Sequence, residues 1–294
     1  MEMKVEICEL VPAQCLLGEG VLWDAGRQLV WFVDIKRHLL WQCDPATGRT
    51  AHAKAPGQIG WAIPAEGGLL LCGLEDGLYT FDPAARRFDK LMAVPGEPSG
   101  NRLNDACTDP WGRVWFGSMD DGEQGACGRF YVFDRGDIRP AGPSGIAITN
   151  GPAVNRAGDR IYFTDTAAQK ILVADLSLSG AGEARLFADT AVPFPDAFPD
   201  GPTVDAEDHV WSALYSGGQV ARFSPDGELV ATVALPARDI TKMALGGPGF
   251  TTAYVTTASK DMQPEDIARY PQAGSLFTFE APVSGFPQPL AKLG

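Results

Sequence analysis

The stretch PDGPTVDAEDHVWSALYSGGQV, residues 199–220, holds a strand signal, Val210-Trp211-Ser212-Ala213-Leu214-Tyr215. Eleven residues before Trp211 stands Asp200, in a Pro-Asp-Gly sequence. Taken alone, that aspartate is as good a turn former as a chemical group. The rest of the chain decides between the two, because the arrangement recurs. Strand centres of the same kind lie at Trp31 (LVWFVD), Leu71 (LLLCGL), Trp115 (RVWFGS), Tyr162 (RIYFTD), Trp211 (HVWSAL) and Tyr254 (AYVTTA), at intervals of 40, 44, 47, 49 and 43 residues. Each is followed by a turn and a second strand that closes on an acidic or Pro/Gly turn, as in HLLWQCDPATG, GLYTFDPAARRF and GRFYVFDRGD.

Six units of this length, strand-rich and punctuated by Gly, Pro and Asp, predict an all-β chain: a six-bladed β-propeller with four short antiparallel strands per blade. The expectation is a single domain over residues 1–294. No long amphipathic pattern interrupts the units, which disfavours a TIM barrel or a doubly wound sheet. A β-sandwich would show similar turns but does not need six evenly spaced units. An unclosed ring would leave a free edge, so the N-terminal MKVEICEL is expected to pair with the last blade.

The same phase of each unit carries the candidate chemistry. Glu19 lies 12 residues before Trp31, Asn104 lies 11 before Trp115, Asn150 lies 12 before Tyr162 and Asp200 lies 11 before Trp211. In the other two units the phase falls near Ile59-Gly60 and Thr241-Lys242. Equivalent points of successive blades lie at one end of a propeller's channel, so two carboxylates and two carboxamides converge there. Such oxygen donors suit Ca²⁺, Mg²⁺ or Mn²⁺, with Fe²⁺ or Zn²⁺ possible through the carboxylates. Each residue also has a plain turn reading: Gly18-Glu19-Gly20 as an exposed turn, Asn150-Gly151 and Asp200-Gly201 as hairpin dipeptides. Pro152 and Pro202 weigh against hairpins, since proline cannot donate to the ladder that would follow.

The stretch SGNRLNDACTDPWGRVWFGSMDDGE, residues 99–123, is the richest in polar groups. Arg102 has fixed guanidinium donors for substrate oxygens, although it could instead pair with Asp105. Asn104 is placed to bond a hydroxyl. The acidic run Asp120, Asp121, Glu123 reads as a solvated loop, with Glu123 within reach of the channel mouth.

Bulk properties remove other classes. Net charge is −13, with no local Lys/Arg cluster, which excludes a phosphate-backbone binder. No apolar run approaches the roughly 20 residues that span a bilayer, and MEMKVEICEL lacks the apolar core of a secretory signal, so a cytoplasmic location and no membrane partner are expected. Six cysteines at 8, 15, 43, 72, 107 and 127 lack paired spacing or a CxxC, which favours reduced thiols over disulfides or a Cys-ligated zinc. The three histidines, at 38, 52 and 209, form no HExxH, and no GxSxG provides a serine nucleophile.

At these residues the chain resembles the SMP-30/gluconolactonase/LRE family over essentially its whole length. The matching motifs, in order, are LGEGVLWD, NRLNDACTDPWGRVWFGSM, ITNGPAV and PDGPTVDAEDHVW, with GGP, AYVTTASKD and PQAGSLF in the last blade. The resemblance implies a six-bladed propeller with one divalent metal in its channel, held by Glu19, Asn150 and Asp200. It implies that Arg102 and Asn104 bind substrate and that Asp200 doubles as the acid/base; Glu123 joins the substrate set. Proline replaces the apolar residue that often follows the NG and DG of the family. The compact GSMDDGEQ loop resembles bacterial pentonolactonases more than the longer animal versions.

The expected reaction is hydrolysis of a pentono- or hexonolactone to the aldonic acid, by a protein stable as a monomer, with Asp200 as general base and Asp105 as the fallback. Two other classes compete: a metal-dependent phosphotriesterase or arylesterase, which would want a more apolar mouth, and a non-enzymatic Ca²⁺-binding propeller, since one fold hosts many functions.

Overall fold

The six apolar strand centres become the second strands of six four-stranded antiparallel sheets. The structure, a computed structural model, describes residues 1–294. The innermost strands are Gly18–Asp24, Ile59–Pro64, Asn101–Thr108, Thr149–Val154, Phe198–Val204 and Asp239–Gly246, one for each of blades 1 to 6. Neighbouring inner strands touch in sequence around the ring, and the sixth returns to the first. Blade 4 carries an extra two-residue strand, Gly180–Ala181.

Blade 6 is completed by the start of the chain. Cys8–Val11 pairs antiparallel with Leu276–Glu280, so the outermost strand of the last blade comes from the N-terminus. This is the closure expected for MKVEICEL. It ties the two ends of the sequence into one sheet and leaves blade 6 no shorter than its neighbours.

All six strand centres are buried: Trp31, Leu71, Trp115, Tyr162, Trp211 and Tyr254 each retain at most 2% of their surface. They pack between blades with Phe81, Phe116, Phe163 and Phe279 among others. Aromatic side chains of this size each remove some 150–250 Å² from water, so the wedge between blades is where most of the apolar burial lies. Three of the tryptophans also fix the hairpin that follows the inner strand. Trp31, Trp115 and Trp211 donate their indole N–H to Asp24, Asp109 and Asp205. Asp109 and Asp205 also accept backbone N–H groups of their own turns, and Arg113 and Arg222 pair with them. A buried aspartate is tolerated because every lone pair is engaged.

All six inner strands share one irregularity. The pairing with the second strand slips between Glu19 and Leu22, Ile59 and Trp61, Leu103 and Ala106, Asn150 and Ala153, Asp200 and Thr203, and Ile240 and Lys242. A bulge re-aims side chains, and bulges cluster beside active sites. Here the same bulge, repeated six times, encircles the channel at one level. Asn150-Gly151 and Asp200-Gly201 are therefore inside strands, at these bulges, and form no hairpin turn.

The only α-helix is the six-residue Pro264–Arg269, and no helix is long and apolar enough to cross a membrane. All six cysteines are unpaired thiols.

Candidate metal and substrate site

Six of the residues singled out from the sequence lie in one cavity. Glu19, Arg102, Asn104, Glu123, Asn150 and Asp200 line a single space of about 430 Å³ at one end of the channel. Met119, Ile148, Thr166, Phe198, Tyr215, Ser216, Arg238, Lys260 and Asp261 complete its wall.

Glu19 and Asp200 are buried and share an unusual local geometry. Each carboxylate accepts the N–H of the glycine that follows it, Gly20 to Glu19 Oε2 and Gly201 to Asp200 Oδ1, both at 2.8 Å. Neither makes any other side-chain hydrogen bond or ion pair within the protein, so Glu19 Oε1 and Asp200 Oδ2 are left for whatever occupies the cavity. Burial pushes the Glu19 carboxyl up to about 7, and the nearby Asp105 charge adds to this while Lys242 opposes it. Burial raises Asp200 well above the ordinary range, and the Glu19 charge raises it further. Two buried carboxylates, each raised by burial and by a neighbouring negative charge and neither paired with a protein cation, form a site short of positive charge.

Asn150 supplies a third oxygen. Its Nδ2 donates to Thr166 Oγ1 at 2.9 Å, and Thr166 passes its own proton to the Pro199 carbonyl at 2.8 Å. Because the hydroxyl has only one proton, it must accept from Asn150, which fixes Oδ1 on the other side. That oxygen accepts from Asn104 Nδ2 at 3.0 Å. Asn104 is anchored in turn, donating to the Thr149 carbonyl at 2.6 Å and accepting from Arg102.

No group of three His, Cys, Asp or Glu side chains comes together to hold a metal anywhere in the chain. A cation here would be held by two carboxylates and one carboxamide oxygen from three different blades, an all-oxygen donor set suited to a hard divalent ion. The charge deficit of Glu19 and Asp200, together with the fixed Asn150 oxygen, fits such an ion.

Arg102 does not make the alternative pairing with Asp105. Its Nε donates to Asp121 at 2.8 Å, not to Asp105. Asp121 also takes Lys36 at 2.5 Å and Gln58 at 3.0 Å. Burial alone would raise the Asp121 carboxyl, but the Lys36 and Gln58 hydrogen bonds and the Arg102 and Lys36 charges outweigh it and hold it at about 2. The acidic run is thus no simple solvated loop: it is folded back onto cations. Asp120 accepts the N–H groups of Gly122, Gln124 and Gly125, which curls the loop. Glu123 pairs with Lys260 at 2.6 Å across the cavity mouth.

Asp105 does not fit the fallback base. It is buried, accepts from Ala106 and Gly151 N–H groups at 2.7 and 2.9 Å, and is gripped through both oxygens by Lys242 at 2.7 and 2.6 Å. It is absent from the cavity wall. Lys242 is the buried residue that reading for oxygen donors passed over. The signal was present, since it lies 12 residues before Tyr254, the spacing of Glu19 from Trp31.

Comparison with known proteins gives a consistent picture. The family model described as SMP-30/Gluconolactonase/LRE-like region matches residues 17–259. The L-arabinolactonase of Azospirillum brasilense is 32% identical, over 94% of this chain and 92% of its own. The pentonolactonase of Haloferax volcanii is 31% identical, over 96% and 97%. Among solved structures, the calcium-binding protein regucalcin from Agrobacterium tumefaciens superposes with a TM-score of 0.91 at 27% identity, covering 96% of each chain.

Proposed function

The chain belongs to the SMP-30/gluconolactonase/LRE-like family, and on that premise we propose that it is a hydrolase that opens a sugar lactone, a pentono- or hexonolactone, to the aldonic acid. The observation that carries this reading is the pair of buried carboxylates, Glu19 and Asp200, neither of them in an ion pair, with Arg102 and Asn104 on the same wall. The names of the arabinolactonase and pentonolactonase relatives support the substrate class.

In this reading Glu19, Asn150 and Asp200 hold one divalent ion, whether Ca²⁺, Mn²⁺, Fe²⁺, Zn²⁺ or Mg²⁺. When bound, the ion would supply Lewis-acid polarisation of the lactone carbonyl. Asp200 takes the proton of the attacking water: its Oδ2 has no protein donor, and an ion bound beside it would keep it ionised, so it acts as a modest base on a water held in place. General-base help of this kind is typically worth about 10²–10⁴-fold. Arg102, held by Asp121 and Asn104, presents donors already fixed in direction to the sugar oxygens. Asn104 and Glu123 bind its hydroxyls. A polar wall of this kind suits a polyhydroxylated substrate better than an aryl ester or a phosphotriester. The reading includes a monomer, which the closed ring supports, and a cytoplasmic location.

The test is acid release from xylono-, arabinono-, galactono- and gluconolactone, followed by pH-stat on chelator-stripped protein with and without each metal. Release above the spontaneous rate, restored by metal and absent in Asp200→Ala, is the expected result. No acceleration on any lactone with any metal would overturn the assignment.

A further inference from the structure

Lys242 is a buried cation that the chemistry above leaves unused. It faces Thr256, two residues beyond the strand centre of blade 6. Glu19 faces Val33, Asn150 faces Thr164 and Asp200 faces Ala213 at the same point of their own blades. Lys242 follows the slip of its strand, however, where the three oxygen donors precede theirs, and its ammonium lies outside the cavity that they line. There it grips both oxygens of Asp105 at 2.7 and 2.6 Å.

The pair touches the backbone behind two of the donors. Asp105 Oδ2 accepts the N–H of Gly151, the residue after Asn150, at 2.9 Å. Gly201, the residue after Asp200, lies against the Lys242 stem: a Cβ there would come within 2.6 Å of Lys242 Cγ. The pair also marks a boundary along the channel. Lys242 lines a second, apolar cavity of about 120 Å³ that Glu19 and Asp200 do not reach.

Resting on the reading that Glu19, Asn150 and Asp200 hold a divalent ion, we infer that the Asp105–Lys242 pair is a positioning element that keeps the metal site open. Asp105 holds the ammonium away from the donor carboxylates and braces the Asn150–Gly151 bulge, so Glu19 and Asp200 face the cavity as unpaired anions. Without the Asp105 charge, the ammonium stays buried within electrostatic reach of Glu19 and Asp200. A buried charge that loses its partner seeks another. Lys242 would then occupy the place of the metal. Without the Lys242 charge, nothing competes with the metal.

The two halves of the pair thus have opposite signatures, which a bracing role alone would not give. The experiment uses full-length, chelator-stripped protein and Mn²⁺ alone, with binding read from the loss of the free-ion EPR signal. The unfolding midpoint is recorded for each variant. Asp105→Asn, which keeps an oxygen for Gly151 N–H, is expected to weaken Mn²⁺ binding by about 10–100-fold, the range for a partner behind a metal ligand. Lys242→Met is expected not to weaken it, and adding Lys242→Met to Asp105→Asn is expected to restore it to within about threefold of wild type, a strongly non-additive cycle.

The inference is overturned if Asp105→Asn binds within about twofold of wild type, if Lys242→Met alone weakens binding about tenfold, or if the double variant is as weak as Asp105→Asn. Should Asp105→Asn fail to fold, Lys242→Met and the double variant decide, since neither contains an unpaired ammonium and both must bind as wild type does. No binding by wild type would remove the metal-site reading and this inference together. Wild-type binding with any of the overturning patterns removes the inference alone.

Discussion

Blades 1 and 2 are neighbours with the same strand order and the same bulge, yet only one contributes to the site. In blade 1 the residue opposite Val33 is Glu19, whose carboxylate enters the cavity. In blade 2 the inner-strand residue opposite Gly73 is Trp61, which lies just past the slip and packs with Phe116 and Tyr131 of blade 3. Gly73 has no side chain, and the Trp61 ring fills that space so closely that a Cβ on Gly73 would lie 2.2 Å from it. The bulge fixes where a side chain leaves the strand. Whether it ends in the channel or between blades depends on its chemistry and on the room its neighbours leave.

That contrast separates function from stability, and the sharpest way to break it is at the two ends of the same design. Asp200→Ala is expected to lower kcat by at least about 10²–10⁴-fold, the worth of a general base, while leaving the unfolding midpoint near wild type or above it. The second half follows from removing a buried carboxylate that repels Glu19. Steady-state kinetics and a thermal melt on one preparation check both halves. Trp61→Ala is expected to do the reverse. Its loss should cost about 3–5 kcal/mol of stability, the usual range for a buried tryptophan, read by denaturant unfolding, with kcat of the folded fraction little changed.

Arg102→Met sharpens the picture within the cavity. It removes charged donors but keeps much of the side-chain stem, so kcat/KM should fall by about 10–100-fold, the equivalent of roughly 1.5–3 kcal/mol for a hydrogen bond to a charged group. Metal binding should persist in this variant, because Arg102 is not among the proposed ligands. Gly73→Ala tests blade 2 from the other side: the added methyl must push against the Trp61 ring, and overpacking of this kind costs about 1–3 kcal/mol.

The smallest effect concerns pH. In the metal-free protein, burial and the Asp105 charge raise the folded-state carboxyl of Glu19 to about 7. The native state therefore holds a proton that the unfolded chain has already released. Stability from this source is fully present below the ordinary glutamate range and is lost as pH rises towards about 7. Melts of chelator-stripped protein between these limits should show a midpoint that falls with rising pH, and Glu19→Gln should flatten the trend.

The architecture was legible in the sequence because its signals are local and repeated. Trp31, Leu71, Trp115, Tyr162, Trp211 and Tyr254 mark strands by their own apolar neighbours, and their spacing alone gives six blades. The same spacing placed Glu19, Asn104, Asn150 and Asp200 at one level, because a propeller turns sequence phase into height along the channel. It did not say which atoms meet. That Arg102 pairs with Asp121 and not Asp105, that Glu123 reaches Lys260, and that Asp105 is closed off by Lys242 are contacts between residues 19, 137 and 137 positions apart. The Arg102–Asp121 pair forms within blade 3, whereas the other two partners are chosen by the closure of the ring and by the competition among buried charges for a countercharge. Neither exists until all six blades are in place, which is why Lys242 stood at the right spacing in the sequence and acquired a role only in the tertiary structure.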